Sequence, residues 1–123
     1  MTGSRDLALA AAQAASEKQG ADILVLEVGE LISITDYFVI VSGATDRQVK
    51  TIAEEIEAAL RERGEKPLRR EGKQGGRWIL LDYIDIVVHV FHQEERDYYE
   101  LERLWADAPV VDWERAAAPS GGR

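Results

Sequence analysis

His89 and His92, with Asp82 and Asp85 just ahead of them, are the residues whose types and spacing come nearest to a reactive centre. On a strand, side chains at positions 89 and 92 point to opposite faces, so one metal ion cannot take both unless the strand ends between them. A packed strand histidine is the simpler reading. Asp82 and Asp85 flank Tyr83-Ile84 and could be read as metal-binding carboxylates, yet Asp-Tyr-Ile-Asp equally suits a turn, where aspartate is favoured. Ser42-Gly43 precedes a helix start as a phosphate-cradling turn would, but the run of glycines and the lysine of such a loop are missing. Ser4, Ser16, Ser33, Ser42 and Ser120 stand in no context that would activate a hydroxyl. With no cysteine in the chain there is no thiolate nucleophile or ligand either. The residues define no catalytic site and no metal site, and they call for no cofactor.

The composition narrows the remaining classes. At 123 residues the chain has the length of one domain, and 46% hydrophobic with 31% charged residues is the balance of a chain that folds around its own core. Absence of cysteine removes any argument for an oxidising compartment, and a cytoplasmic setting is expected. The N-terminal stretch is interrupted by Gln13, Ser16, Glu17 and Lys18, so no signal-peptide core is expected, and no apolar run approaches the roughly 18–20 residues of a membrane span. The formal net charge of −8, from 15 Lys+Arg against 23 Asp+Glu, opposes direct binding to a phosphate backbone, so no sequence-specific nucleic-acid partner is expected, and favours a basic partner.

These side chains must be positioned by a mixture of helices and strands. Asp6 to Gln19, rich in alanine and leucine, predicts a helix with a small-residue stripe of Leu7, Ala10, Ala11 and Ala14, which Gly20 can end in a left-handed conformation. Ile23–Leu26 and Tyr37–Val41 predict strands, joined by a connection with exposed-looking aliphatics. Thr45-Asp46-Arg47-Gln48 has the form of a capping box. After it, Val49, Ile52, Ala53, Ile56, Ala59 and Leu60 recur at helical spacing until Gly64. Pro67–Glu71 predicts an edge strand, and Lys73-Gln74-Gly75-Gly76 a turn. Trp78–Leu81 and Ile84–Phe91 give the strongest strand signals; the second, apolar on nearly both faces, is expected in the centre of the sheet. A last helix is expected from Glu94 to Trp105, with Tyr98, Leu101, Leu104 and Trp105 toward a core and Pro109 ending it. The expected class is α/β, a mixed, roughly five-stranded sheet with helices packed on it. One domain over residues 1–113 and an unstructured tail over 114–123 complete the reading.

One segment stays unusual. Gly76-Arg77-Trp78-Ile79-Leu80-Leu81-Asp82-Tyr83 carries large apolar side chains on both faces of a strand near a sheet edge, where one face can be core but both cannot easily be. Aromatics at protein contacts carry a disproportionate share of binding energy, so an interaction surface and a buried core are both open readings of Trp78 and Tyr83.

The string Trp78-Ile79-Leu80-Leu81-Asp82-Tyr83-Ile84-Asp85-Ile86-Val87-Val88-His89-Val90-Phe91, followed by Arg96-Asp97-Tyr98-Tyr99-Glu100-Leu101-Glu102-Arg103-Leu104-Trp105, resembles the signature of the Iojap/RsfS ribosome silencing factors. Asp36-Tyr37-Phe38-Val39-Ile40-Val41-Ser42-Gly43 with Arg47-Gln48-Val49 resembles an earlier block of the same family, so the likeness runs from about Leu7 to Trp113. It implies a sheet distantly similar to nucleotidyltransferases, without enzymatic activity. The Gly-Ser and acidic-x-acidic pair of those enzymes is missing: Ser42-Gly43 is reversed, and Glu54-Glu55 lie on an amphipathic helix. The resemblance further implies docking on the large ribosomal subunit through its ribosomal protein fourteen, steric exclusion of the small subunit, and lowered translation when nutrients are scarce. On that basis Trp78, Leu81, Asp82 and Tyr83 are expected at the contact, with Asp36 and Tyr37 beside them. For all to share a face, the strand must bulge or end near Asp82. A homodimer off the ribosome, through the same aromatic strand, is a competing use, and an enzyme holding a metal-nucleotide on Asp82 and Asp85 a further one.

Overall fold

The computed structural model describes residues 3–73 and 77–117; the turn expected at Gln74-Gly75-Gly76 and residues 118–123 lie outside them. Helix α1 (Ser4–Glu17) buries Leu7, Ala8, Ala11, Ala12, Ala14 and Ala15, a wider face than the predicted stripe. Small side chains let it lie close against the sheet and the next helix. Its end differs from expectation: Gln19, not Gly20, takes the left-handed conformation (φ 63). Gly20 is required by space instead, since a Cβ there would stand 2.5 Å from Val41 Cγ2.

The Thr45 half of the capping box forms as expected, and the reciprocal bond reaches one residue further, to Ala44. In α2 (Asp46–Arg61) the Gln48 amide donates to Thr45 Oγ1 at 3.1 Å. The Gln48 side chain accepts from the Ala44 amide and donates to the carbonyls of Lys18 and Gln19, tying the end of α1 to the start of α2. Val49, Ile52, Ala53, Ile56 and Leu60 face the sheet, as their spacing predicts.

Strands β1 (Ala21–Glu27), β2 (Tyr37–Gly43), β3 (Arg69–Lys73), β4 (Trp78–Asp82), β5 (Ile86–His92) and β6 (Val110–Val111) form one mixed sheet in the order β3-β4-β5-β2-β1-β6. The count is six rather than five, because β6 is a two-residue strand too short to leave a period in the sequence. Only β2 and β5 pair in parallel. They occupy the middle and are apolar on both sides, as expected for strands covered twice.

One sheet face carries Val25, Val39, Val41, Ile79, Leu81, Val88 and Val90 against α1 and α2. The other carries Leu26, Phe38, Ile40 and Phe91, and it is covered over β1 and β2 by the chain that follows β5. That chain is not the single helix expected over 94–105. It is α3 (Gln93–Tyr99) and α4 (Leu101–Leu104), broken at Glu100, which adopts φ 49. The break leaves Tyr98 79% and Leu104 74% exposed, so neither faces a core, while Leu101 and Trp105 do pack inward. Buried Arg96 anchors the corner: Nη1 donates to Ser42 Oγ at 2.9 Å and Nε to Glu102. Helix α5 (Trp113–Ala117) lies against α1, and the Trp113 indole donates to the Ile23 carbonyl. It occupies residues at which an unstructured tail was expected from position 114.

Candidate functional site: the outer face of β4

The pairing register assigns every β4 side chain to a face. Ile79 and Leu81 lie opposite Val90 and Val88 and point into the α1/α2 layer; Trp78, Leu80 and Asp82 lie opposite Phe91, His89 and Val87 and point the other way. No bulge interrupts the pairing, so the expected grouping of Trp78 with Leu81 and Tyr83 does not form. Leu81 is 0% exposed, and Tyr83 and Tyr37 are buried in the same layer. These three are buried between the sheet and its helices, not on the outer face of β4. Asp36 is exposed, but it lies at the sheet end, where its amide donates to the Asp85 carbonyl.

What the structure does bring together is Trp78, Leu80 and Asp82, with two tyrosines that the sequence reading placed elsewhere or passed over. Trp78 is partly buried, its ring 4.9 Å from Tyr99, which in turn meets Tyr98 edge-on at 5.0 Å. On its inner side Trp78 meets Phe91 at 4.6 Å, the rings tilted by 32°. An aromatic ladder thus runs from the core to the surface, and Trp78, Leu80 and Asp82 at its outer end are partly exposed. Beside it Glu71, Gly72, Trp78 and Leu80 line a shallow hollow. Strand alternation alone would have singled out Leu80 as the partner of Trp78. Tyr99 was hidden, because its place depends on the break at Glu100.

The strip's rim is charged and mostly paired. Arg69 bridges Asp82 at 3.1 Å. Arg77 bridges Glu94 at 2.8 Å and Glu95 at 3.3 Å, and these bonds raise its pKa while Glu94 is held below the usual carboxylate range. The turn after β4 is tight. Asp82 Oδ1 accepts from the Ile84 amide, the Asp85 amide donates to the Tyr83 carbonyl, and Ile84 stands at φ 74 with its side chain 56% exposed. That is a γ-turn of the strained kind, uncommon for a β-branched residue. Asp82 is thereby engaged as a turn former and ion-pair partner.

The other reactive-looking residues also have local explanations. His92 is the N-cap of α3, its Nδ1 accepting from the Glu94 amide, and Ser42 receives Arg96. His89 is buried, and desolvation pushes it down to about 4, so it is a neutral imidazole near pH 7. Burial first, then the charge of Glu57, pushes the Tyr83 phenol up to about 12. Among the described residues there is no group of three or more His, Asp or Glu that could hold a metal ion, and no helix long and apolar enough to cross a membrane.

The molecule is a mixed sheet with α1 and α2 on one face and a partly exposed aromatic strip on the other. The family model described as ribosomal silencing factor during starvation, RsfS, matches residues 2–122, and the chain belongs to that family. It is 46% identical over 102 residues to the ribosomal silencing factor RsfS of Bacillus subtilis, covering 83% of this chain and 86% of that one. It is also 32% identical to the chloroplastic protein Iojap of Zea mays, over 85% of this chain and 46% of that longer protein. A crystal structure of a Chromobacterium violaceum protein superposes with a TM-score of 0.82 at 33% identity, covering 85% of this chain and 88% of that one. A Bacillus halodurans protein superposes with a TM-score of 0.76 at 37% identity, covering 88% and 98%.

Proposed function

We propose that this chain silences ribosomes by docking the outer face of β4 on the large ribosomal subunit, at its ribosomal protein fourteen, and so occupying space that the small subunit needs. The reading rests on family membership and on one observation, the partly exposed strip on which Trp78 and Leu80 of β4 lie beside Tyr99 of α3. Asp82 and Asp36 contribute acidic rim, and the net charge of −8 suits a basic protein surface, steering encounter more than it adds affinity. The action is steric and regulatory, in the cytoplasm, without cofactor or catalysis. Translation falls when nutrients are scarce because fewer subunits can join.

Sedimentation with separated ribosomal subunits tests the reading. The protein should pellet with large subunits and reduce joined ribosomes when small subunits follow; pelleting with small subunits alone would refute it. Trp78→Ala should weaken large-subunit binding by about 2–4 kcal/mol, the range of interface hot spots. A homodimer off the ribosome is favoured by the same strip and by β3, which among the described residues ends the sheet with one edge unpaired. If dimer and ribosome use one surface, Trp78→Ala should also shift the protein toward monomer in sedimentation velocity.

A further inference from the structure

His89 lies beneath the proposed docking strip, opposite Leu80 on one neighbouring strand and Ile40 on the other. It is enclosed by rings: Phe38 edge-on at 5.2 Å, Phe91 parallel at 6.1 Å, and Trp78 tilted at 6.1 Å. The Trp78 indole Nε1–H donates to His89 Nδ1 at 3.3 Å. A neutral imidazole that accepts at Nδ1 carries its own proton at Nε2. That Nε2 is buried without a hydrogen-bond partner among the described residues. An apolar side chain of similar size would fill this site without stranding a donor, so the imidazole adds something that packing alone does not require. What it adds is an acceptor aimed at the one side chain that reaches from this aromatic cluster to the surface of β4.

We propose that His89 is a positioning residue for docking: by accepting the indole N–H it holds Trp78 in a single orientation, so that the β4 strip meets its partner already ordered. The inference rests on the reading that Trp78 docks. Fixing a side chain before binding removes the ordering cost otherwise charged to association, about 0.5–1.5 kcal/mol for one side chain, or roughly two- to tenfold in affinity.

The test uses the full chain with purified large subunits and four variants: His89→Leu, which removes the acceptor; His89→Asn, which keeps one near the Nδ1 position; Trp78→Phe, which removes the donor; and Trp78→Ala. His89→Leu should melt at or above the wild-type temperature, shift the indole proton resonance of Trp78 in the free protein, and bind two- to tenfold more weakly. His89→Asn should restore much of both the resonance and the binding. In a Trp78→Phe background His89→Leu should have no further effect on binding, because the bond it removes is already gone. Should His89→Leu fail to fold, Trp78→Phe alone tests the donor side, and full-strength binding by it overturns the proposal. If His89→Leu binds like wild type while Trp78→Ala has lost binding, the positioning role is overturned and the docking reading stands. If Trp78→Ala binds at full strength, the docking reading falls and the positioning role falls with it.

Discussion

Leu80 and Leu81 are neighbours in sequence with opposite expected responses to truncation. Leu81 is 0% exposed between the sheet and α2, in the cluster that holds Ile52, Ile56 and Val88. Leu81→Ala therefore removes a fully buried side chain and leaves a hole that surrounding strands close only in part, for which the range is about 2.7–5.0 kcal/mol. A chain of 123 residues holds a stability of roughly 6–18 kcal/mol, so the variant should still fold but lose a large share of its margin. At roughly 3–5 °C per kcal/mol for this length, the melting temperature should drop by about 8–25 °C. Leu80 is only partly buried on the other face, and its truncation should cost about 1 kcal/mol or less of stability. Binding should follow the reverse order: below its lowered melting temperature Leu81→Ala should pellet with large subunits as wild type does, and Leu80→Ala should bind more weakly. Melting curves and subunit pelleting on the same two preparations measure all four quantities. A Leu80→Ala variant that melts earlier than Leu81→Ala, or a Leu81→Ala variant that melts normally and fails to bind, would refute the face assignment of β4.

Three further outcomes are expected. His89 titrates near 6.5 unfolded and about 4 folded, so the unfolded chain binds the extra proton; stability should fall as pH drops from about 6.5 to 4 by roughly 3 kcal/mol, and His89→Leu should flatten that part of a denaturation series. Tyr83→Phe removes a buried hydroxyl that has no partner among the described residues, and chemical denaturation should show stability unchanged or raised by about 1 kcal/mol. At Ile84, φ 74 burdens any residue with a Cβ, so Ile84→Gly should be more stable than Ile84→Ala by about 0.5–1 kcal/mol; the opposite order would show that the turn is not strained.

Much of the fold was legible because local chemistry and tertiary packing agree. Thr45 and Gln48 announce the start of α2, and its apolar spacing states which face is buried; the apolar run Ile86–Phe91 announces a central strand. The candidate site was legible as a segment but not as a surface. Trp78 and Asp82 do share a face of β4, but strand alternation and burial turn Leu81, Tyr83 and Tyr37, expected beside them, to the opposite layer. Leu80, the residue that alternation does place beside Trp78, was passed over. Other features leave no local trace. Glu100 breaks a helical pattern without glycine or proline, Gln19 takes the left-handed position beside an available glycine, and β6 is two residues long; tertiary contacts decide each of them.

The parallel pairing of β2 with β5 bears on when the docking surface comes into existence. Tyr37–Gly43 meets Ile86–His92 only after α2, β3 and β4 have been looped out between them, so this closure is, after the pairing of β1 with β6, the least local step in assembling the sheet. Trp78 gains Phe91 and His89 from β5 alone, whereas the Phe38 and Ile40 that seat His89 arrive with β2. A fragment ending after β4, or a peptide copied from it, therefore lacks the ordered strip however faithfully it repeats the residues. The surface belongs to the completed topology, and the amides of β2 and β5 should exchange with solvent no faster than the whole molecule unfolds.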